Sequence, residues 1–280
     1  MSNAIAEKVR SFYEHMPFNY YTTPEAAVVA VLRNPTVGYE DLASLLSAGT
    51  VKTALEVGCG TGWLSLAMAY HYDVTVTGID IAQNPLKRAR VVKDKLGVKG
   101  IQFLQSDLFD FCTDARFSLV VSNGVLHSTS DARAAFLHIQ RFVGESGYVF
   151  LGLYHAFGRT VFLEMFRKII ASQGEAAAFE RFASMWGPGA DATHVRSWFR
   201  DQVLHPHETL HTLQEVIGWL SEAGFRLVST SINRHKKWTA IEELLKMESQ
   251  YEQLSYQRNV VENRYFPGFF TVLAQRTAQP

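Results

Sequence analysis

One short segment restricts the fold of this chain more than any other, the run Ala54-Leu-Glu-Val-Gly-Cys-Gly-Thr-Gly-Trp63. It reads as a buried strand followed by glycines at alternate positions, Gly58, Gly60 and Gly62. An apolar helix is predicted over residues 63–70. Glycines at such a turn let the backbone bend sharply and let a ligand approach where a Cβ would block it. Free N–H groups at the start of the helix can face the same ligand.

A carboxylate at the end of the next strand narrows the ligand class. The second strand is predicted over Asp73–Ile79, and Asp80 follows it, 20 residues after Gly60. A carboxylate at about this distance suits the two hydroxyls of a ribose. The sequence therefore predicts an adenosine-containing cofactor.

The glycine spacing argues against two common cofactor motifs. A G-x-G-x-x-G dinucleotide motif counted from Gly58 needs its third glycine at position 63, where the bulky Trp63 stands. A G-x-x-x-x-G-K-[ST] phosphate loop is absent from the sequence. Instead, Glu56-Val-Gly-Cys-Gly-Thr-Gly62 resembles the first motif of the class I S-adenosylmethionine-dependent methyltransferases, and the resemblance extends over about residues 50–155.

The resemblance implies a role for several residues at the predicted strand ends. Gly58 and Gly60 would approach the methionine part and the ribose, and Asp80 would hold the ribose hydroxyls. Asp107 would accept a hydrogen bond from the adenine amino group, and the backbone at Asn123-Gly124 would meet the methionine amino group.

Ile81 and Leu108 would sandwich the adenine ring. The full set of predicted cofactor-binding residues is Glu56, Gly58, Cys59, Gly60, Gly62, Asp80, Ile81, Ser106, Asp107, Leu108, Asn123 and Gly124. The cofactor itself is predicted to be S-adenosyl-L-methionine, with S-adenosyl-L-homocysteine as its product.

Strands and helices alternate along the chain, which predicts an α/β fold with helices on both faces of a mostly parallel sheet. Together with the resemblance, this indicates a Rossmann-like, doubly wound, seven-stranded sheet. Predicted strands span residues 52–57, 73–79, 101–105, 118–122, 147–153, 225–231 and 269–275. Predicted helical regions span residues 63–70, 84–96, 132–143, 158–186 with a break at Gly174, 213–223 behind a capping box at Thr212, and 238–252, with a loop at Gly187-Pro-Gly189.

The remaining segments are interpreted as additions to this sheet. Residues 1–50 are predicted to form an N-terminal helical lid, and residues 51–154 the cofactor-binding core. Residues 155–211 are predicted to be a helical cap insertion. Residues 212–280 would complete the sheet and carry a helical insertion at 232–268.

Composition bears mainly on partners and location. Lys and Arg together number 27, as do Asp and Glu, so the formal charge is zero and a nucleic-acid partner is not expected. No run approaches 18 uninterrupted apolar residues, so no membrane span is expected either. The start of the chain lacks a signal-peptide pattern, and the two cysteines offer no disulfide framework. A cytoplasmic protein is predicted, with association into a homodimer left open.

His127 is the predicted catalytic residue, because a histidine near the site could act as a general base at neutral pH. A site-lining role and a packing role remain open for it. The predicted substrate-binding residues are Tyr13, Tyr20, Tyr21, Tyr154, His155, His205 and His207. Metal binding by His205, His207, Glu208 and His211 is a weaker alternative, because the segment lacks the H-E-x-x-H spacing of zinc hydrolases, and no metal is predicted.

The predicted function is methyl transfer from S-adenosylmethionine to O, N or C of a small- or medium-sized acceptor. One alternative is a non-catalytic partner or regulatory subunit that binds the same cofactor, since fold does not fix activity. A second, less favoured alternative is an NAD(P)-dependent oxidoreductase, against which Trp63 argues.

Overall fold

A computed structural model describes residues 2–186 and 190–277. In this part of the chain seven strands form one sheet in the order β3-β2-β1-β4-β5-β7-β6. The strands are β1 (Thr53–Val57), β2 (Thr75–Asp80), β3 (Ile101–Gln105), β4 (Phe117–Asn123), β5 (Val143–Tyr154), β6 (Phe225–Thr230) and β7 (Phe269–Arg276). The first five are parallel, and β7 lies antiparallel between β5 and β6. The predicted seven-stranded, mostly parallel Rossmann-like sheet is therefore confirmed.

Eleven α-helices accompany the sheet within the described residues. They are α1 (Ser2–His15), α2 (Pro24–Leu32), α3 (Glu40–Ser47), α4 (Trp63–Tyr72), α5 (Gln83–Leu96), α6 (Ala132–Ile139), α7 (Ala156–Ala183), α8 (Ala192–Leu204), α9 (Leu213–Glu222), α10 (Ile241–Glu248) and α11 (Tyr251–Tyr256). None of these helices combines the length and the apolar character that crossing a bilayer requires.

The central strands are apolar because helices cover them on both sides. One buried cluster includes Phe136 of α6 and Trp219 of α9, and a second includes Leu64 of α4 and Leu86 of α5. A third cluster of Phe162, Phe166, Phe182 and Phe199 joins α7 to α8. This third cluster gives the cap segment its own apolar core.

Local sequence signals set several helix boundaries as predicted. Thr212 and Glu215 form the reciprocal capping box at the start of α9. Gly174 has a non-helical conformation (φ +86°) and interrupts α7, which confirms the predicted break. Gly97 ends α5 in the left-handed conformation that favours glycine.

Three element predictions differ from the structure. The helix predicted over 132–143 ends at Ile139, because a 3₁₀ turn follows and β5 already begins at Val143 with a pairing irregularity against β4. The single helix predicted over 238–252 is divided into α10 and α11. The helix α8 was not predicted, although Asp191 caps it by accepting a hydrogen bond from the backbone of His194.

The loop predicted at Gly187-Pro-Gly189 lies outside the described residues. The proposed domain limits at residues 50, 154 and 211 remain predictions.

Candidate functional site

A cavity of about 850 Å³ lies beyond the carboxyl ends of the parallel strands. In an open α/β sheet this is the usual place for a ligand. One side of the cavity, here called the loop wall, is formed by residues 56–61, 63, 79–81, 85, 106–110, 123–125 and 128–131. The opposite side, here called the cap wall, comes from α1 and the loop after it, from α8, and from the segment that leads into β7. It consists of Ala6, Val9, Tyr13, Phe18, Trp198, Asp201, Gln202, Tyr265, Pro267 and Phe269.

The glycine segment is held tightly against the neighbouring strand β2. The backbone N–H groups of Gly58 and Cys59 both donate to the carbonyl oxygen of Ile79, at 2.8 and 2.9 Å. Gly58 has φ +71°, and a Cβ there would lie 2.3 Å from a methyl carbon of Val125. Gly60 also has positive φ, but a Cβ there would meet no atom within 4 Å. The loop is therefore packed at Gly58 and open at Gly60.

Gly62 has a packing role rather than a place in the cavity lining. It precedes α4 with φ +76°, and a Cβ there would lie within 3 Å of Phe103 and Ala89. The other eleven predicted cofactor-binding residues all line the cavity.

Asp80 orders the turn and still lines the cavity. Its two carboxylate oxygens accept from the backbone N–H groups of Gly60 and Ala82, each at 2.8 Å. Burial nevertheless raises the pKa of the Asp80 carboxyl to about 6, against the lowering effect of those two bonds. Burial also raises the pKa of Glu56 to about 8, and Ser65 donates its hydroxyl to that carboxyl.

The loops after β3 and β4 present further polar groups. Asp107 is fixed by the backbone N–H of Phe109, which donates to its carboxylate at 2.8 Å. The side-chain amide of Asn123 donates to the hydroxyl of Tyr39 at 2.8 Å. Its Oδ1 atom is buried and has no hydrogen-bond partner among the described residues. This oxygen lies against Gly152, where an added Cβ would be 2.1 Å from it.

The structure places His127 behind the cavity lining. Its imidazole is only 2% exposed and stacks on the ring of Tyr154 at 4.2 Å. The backbone N–H of Tyr154 points to its Nδ1 atom at 3.3 Å. Burial lowers the pKa of His127 well below its usual range. The general-base role stays a prediction, and this position favours packing.

Of the seven predicted substrate-binding residues, Tyr13 and Tyr154 line the cavity. Tyr20 lies under the guanidinium of Arg88, and Tyr21 stacks on His194 at 4.1 Å. His155 is fully buried and paired with Glu248 at 2.8 Å. These three residues belong to the framework around the cavity.

The two remaining histidines also lie outside the lining. The ring of His205 packs against Phe12 and Tyr13, and His207 contacts the carbonyl oxygen of Thr129 at 3.0 Å. In the part of the chain that the structure describes, no group of three or more His, Cys, Asp or Glu side chains is arranged to hold a metal ion.

Several cap-wall residues were not predicted as site residues. Asp201 and Gln202 reach the cavity from α8, and Tyr265 reaches it from the segment before β7. The apolar spacing of Val195 and Phe199 behind the Asp191 cap was the signal that could have identified α8. No local signal identifies Tyr265, since it is brought to the cavity by tertiary packing alone.

Arg159 joins the segments of the cap. Its guanidinium is fully buried and donates to both carboxylate oxygens of Glu208, at 2.8 and 2.7 Å. It also donates to the backbone carbonyl of Gln202 at 2.8 Å and lies 3.6 Å from the ring centre of Tyr154. A bidentate pair of this kind fixes orientation as well as charge.

The sequence was compared with those of known proteins and protein families. Residues 50–187 match the family model described as a methyltransferase domain. A malonyl-[acyl-carrier protein] O-methyltransferase from Paenibacillus sp. is 31% identical over 115 residues, which are 40% of this chain and 41% of that protein. A ubiquinone biosynthesis O-methyltransferase from Pseudomonas paraeruginosa is 34% identical over 102 residues, 36% of this chain and 43% of that protein. The chain thus spans about two fifths of the length of these relatives.

Solved structures share the whole fold. The magnesium protoporphyrin IX methyltransferase of Synechocystis, solved with bound S-adenosylmethionine, has a TM-score of 0.55 and 14% identity; the match covers 98% of this chain and 97% of that one. The PKMT2 protein of Rickettsia typhi has a TM-score of 0.59 and 14% identity, covering 83% of this chain and 49% of that one. The matched sequence, the sheet order and the glycine loop agree, and the chain carries a methyltransferase domain of the class I S-adenosylmethionine-dependent family.

Proposed function

We propose that this protein transfers a methyl group from S-adenosylmethionine to an O, N or C atom of a small- or medium-sized acceptor. The observation that carries the proposal is the shared cavity, in which the glycine loop and Asp80 face an aromatic cap wall. A volume of about 850 Å³ is in the upper part of the range for small-molecule sites, which leaves space for two ligands side by side.

The loop wall fits the proposed cofactor. Asp80 lies where the ribose hydroxyls would donate, and each of its oxygens is held by only one backbone N–H. The backbone at Asn123 and Gly124, which line the cavity, would meet the methionine ammonium group. Ile81 and Leu108 line the cavity next to Asp107, as a site for a flat adenine ring requires.

When bound, the cofactor supplies a methyl group on a sulfonium, which is already activated for in-line displacement. The chain then has to align the acceptor and exclude water. The cap wall is suited to both tasks, because Tyr13, Trp198 and Phe269 give it large apolar surfaces. The carboxylate of Asp80 favours positive charge in the neighbouring half of the cavity.

The two alternatives have weaker support. Trp63 lines the cavity at the position where a dinucleotide fold needs its third glycine, which disfavours NAD(P). A cofactor-binding subunit without activity would not need a second ligand space, yet the cavity continues to the cap wall. We keep a small-molecule acceptor and a cytoplasmic location as parts of the proposal. Both cysteines are free, and the chain has no net charge.

Calorimetric titration with S-adenosylmethionine, S-adenosylhomocysteine, NAD and NADP tests the proposal. We expect binding of the two sulfur nucleosides only, followed by transfer of labelled methyl to a member of an acceptor panel. Binding of NAD or NADP in their place would support the oxidoreductase alternative. Tight nucleoside binding without transfer to any acceptor would support the non-catalytic alternative.

A further inference from the structure

The charged residues that line the cavity all carry the same sign. Six acidic side chains take part in the lining, and no Lys, Arg or His side chain does so within residues 2–186 and 190–277. The six are Glu56, Asp80, Asp107, Asp110, Asp131 and Asp201, and Glu56 is mostly neutral at pH 7 because burial raises its pKa to about 8. A cavity with this charge pattern attracts cations and disfavours carboxylates and phosphates.

Asp201 differs from the other five because it belongs to the cap wall. It is 8% exposed, and the hydroxyl of Tyr13 donates to its Oδ1 at 2.6 Å. The amide of Gln202 donates to its Oδ2 at 2.7 Å. Both donors are neutral, so they orient the carboxylate without neutralising it.

The buried guanidinium of Arg159, near Asp201, forms its ion pair with a different carboxylate. The guanidinium of Arg159 is paired with Glu208 at 2.7 Å, and it reaches Asp201 only through the amide of Gln202, to whose oxygen it donates at 3.2 Å. His205 also acts on Asp201, but burial lowers the pKa of His205 and so favours its neutral form. A buried carboxylate without a charged partner is costly, and a cationic ligand would offset that cost.

Aromatic rings surround the space in front of Asp201. Tyr13, Trp198 and Tyr265 all line the same cavity, whereas the ring of the neighbouring Tyr154 is already in contact with His127 and Arg159. The hydroxyl of Tyr265 is buried and has no hydrogen-bond partner in the described part of the chain. The faces of such rings attract alkylammonium groups, most strongly where water is excluded.

We propose that the acceptor is an amine, and that Asp201 binds its cationic nitrogen against the aromatic cap wall. This inference rests on the proposed methyl transfer and selects nitrogen among the three acceptor atoms left open above.

The assignment also provides for the proton that methyl transfer to nitrogen requires. The ammonium gives one proton to the Asp201 carboxylate, and the freed lone pair forms the carbon–nitrogen bond as the carbon–sulfur bond breaks. The products are the methylated ammonium and S-adenosylhomocysteine, with the proton on Asp201 passing to solvent. Burial raises the pKa of Asp201, which makes it a better proton acceptor than an exposed aspartate.

Binding of three matched probes to the protein loaded with S-adenosylhomocysteine tests the inference. The probes are 2-phenylethylamine, 2-phenylethanol and phenylacetate, which share a ring and differ in charge. Calorimetry on the wild-type protein should show the amine binding at least about tenfold more tightly than the alcohol, with no binding of the carboxylate. Equal or tighter binding of the alcohol or the carboxylate, or no binding of the amine, would overturn the inference.

The variant Asp201→Asn keeps the shape of the side chain and its hydrogen bond from Tyr13. We expect it to reduce the preference for amine over alcohol to within about threefold, while S-adenosylhomocysteine binds as before. Asp114→Asn, which removes an exposed carboxylate, should leave the preference intact. A preference that survives in Asp201→Asn would contradict the assignment.

The two proposals fail in different ways in this experiment. If the wild-type protein does not bind S-adenosylhomocysteine, the proposed methyl transfer fails. If it binds the nucleoside but prefers the neutral or anionic probe, only the amine assignment fails. The wild-type comparison also stands without the variant, should Asp201→Asn fold poorly.

Discussion

The loop wall and the cap wall enclose one cavity but are built in different ways. The loop wall comes from turns at the ends of consecutive parallel strands, between residues 56 and 131. The cap wall joins Tyr13, Asp201 and Tyr265, whose positions in the chain are far apart. The first wall can be recognised from a local motif, whereas the second exists only after the chain has folded.

This difference suggests a division of tasks. The loop wall depends on backbone geometry, seen in the glycine turn and in the N–H groups that hold Asp80. The cap wall depends on side chains, and a hydrogen-bonded carboxylate stands among aromatic rings there. Variants of the loop wall should therefore affect cofactor affinity, and variants of the cap wall should affect the acceptor.

The largest effect should come from a substitution that disturbs the support of the cap wall. Gly268 has φ +67°, and a Cβ there would lie 2.2 Å from the backbone nitrogen of Arg159. Since backbone atoms cannot rotate away, Gly268→Ala should lower the free energy of unfolding by about 2–5 kcal/mol, measured by guanidinium denaturation. Gly218→Ala is the control, because Gly218 is exposed within α9 with no atom near a new Cβ. It should stabilise by about 0.5–1 kcal/mol, and equal midpoints for the two variants would contradict the prediction.

The second effect concerns the buried acid of the loop wall. Burial raises the pKa of Glu56 to about 8, so the folded protein holds this proton more tightly than the unfolded chain, whose value is 4.5. The stabilising contribution is complete below pH 4.5 and is lost as the pH rises to about 8. Glu56→Gln has no such proton to lose. Its free energy of unfolding, relative to wild type, should therefore rise by about 2–4 kcal/mol between pH 5 and 8. The exposed control Glu145→Gln should show a constant difference across this range.

The third prediction addresses the cofactor directly. Asp80→Ala should weaken S-adenosylmethionine binding by about 1–3 kcal/mol, since it removes a charged acceptor for the ribose and an anchor for Gly60. The matched control is Asp94→Ala on the exposed face of α5. In the wild-type protein the affinity should also fall as the pH drops below about 6, where Asp80 becomes protonated. Calorimetry that shows the same affinity for Asp80→Ala and wild type would remove the ribose assignment.

The smallest effect tests the independence of the two walls. Tyr13→Phe removes the hydroxyl that donates to Asp201 and should cost about 1–2 kcal/mol of stability. The affinity for S-adenosylhomocysteine should stay within about twofold, because the lost bond lies in the cap wall. Trp198→Phe keeps an aromatic ring in the same wall and serves as the comparison in thermal unfolding and calorimetry. A tenfold loss of nucleoside affinity in Tyr13→Phe would show that the walls act as one unit.

The sequence predicted the sheet and the loop wall because both follow from local patterns. Alternating apolar strands and helices predict the sheet. The spacing of Gly58, Gly60 and Asp80 predicts the cofactor-binding turn at the end of its first strand. Gly62 was assigned to the ligand because motif spacing does not distinguish a contact with a ligand from close packing on Phe103.

The cap wall was predicted only in part, through Tyr13. The chemistry of histidine favours a place in the site, yet burial of His127 and pairing of His155 with Glu248 place both residues in the framework. Asp201 is absent from the predicted site because the helix α8 that carries it was itself not predicted. Its role depends on the long-range contact with Tyr13, which no window of sequence contains.

The buried guanidinium of Arg159 has a consequence for how the cap opens. It connects α7 to Glu208, to the end of α8 and, at 3.5 Å, to the carbonyl of Pro267. Freeing any one of these segments breaks bonds to the same charged group, so we expect them to separate together. Amide hydrogen exchange should then report one shared opening rate across these segments, and admission of an acceptor would be a single cooperative event.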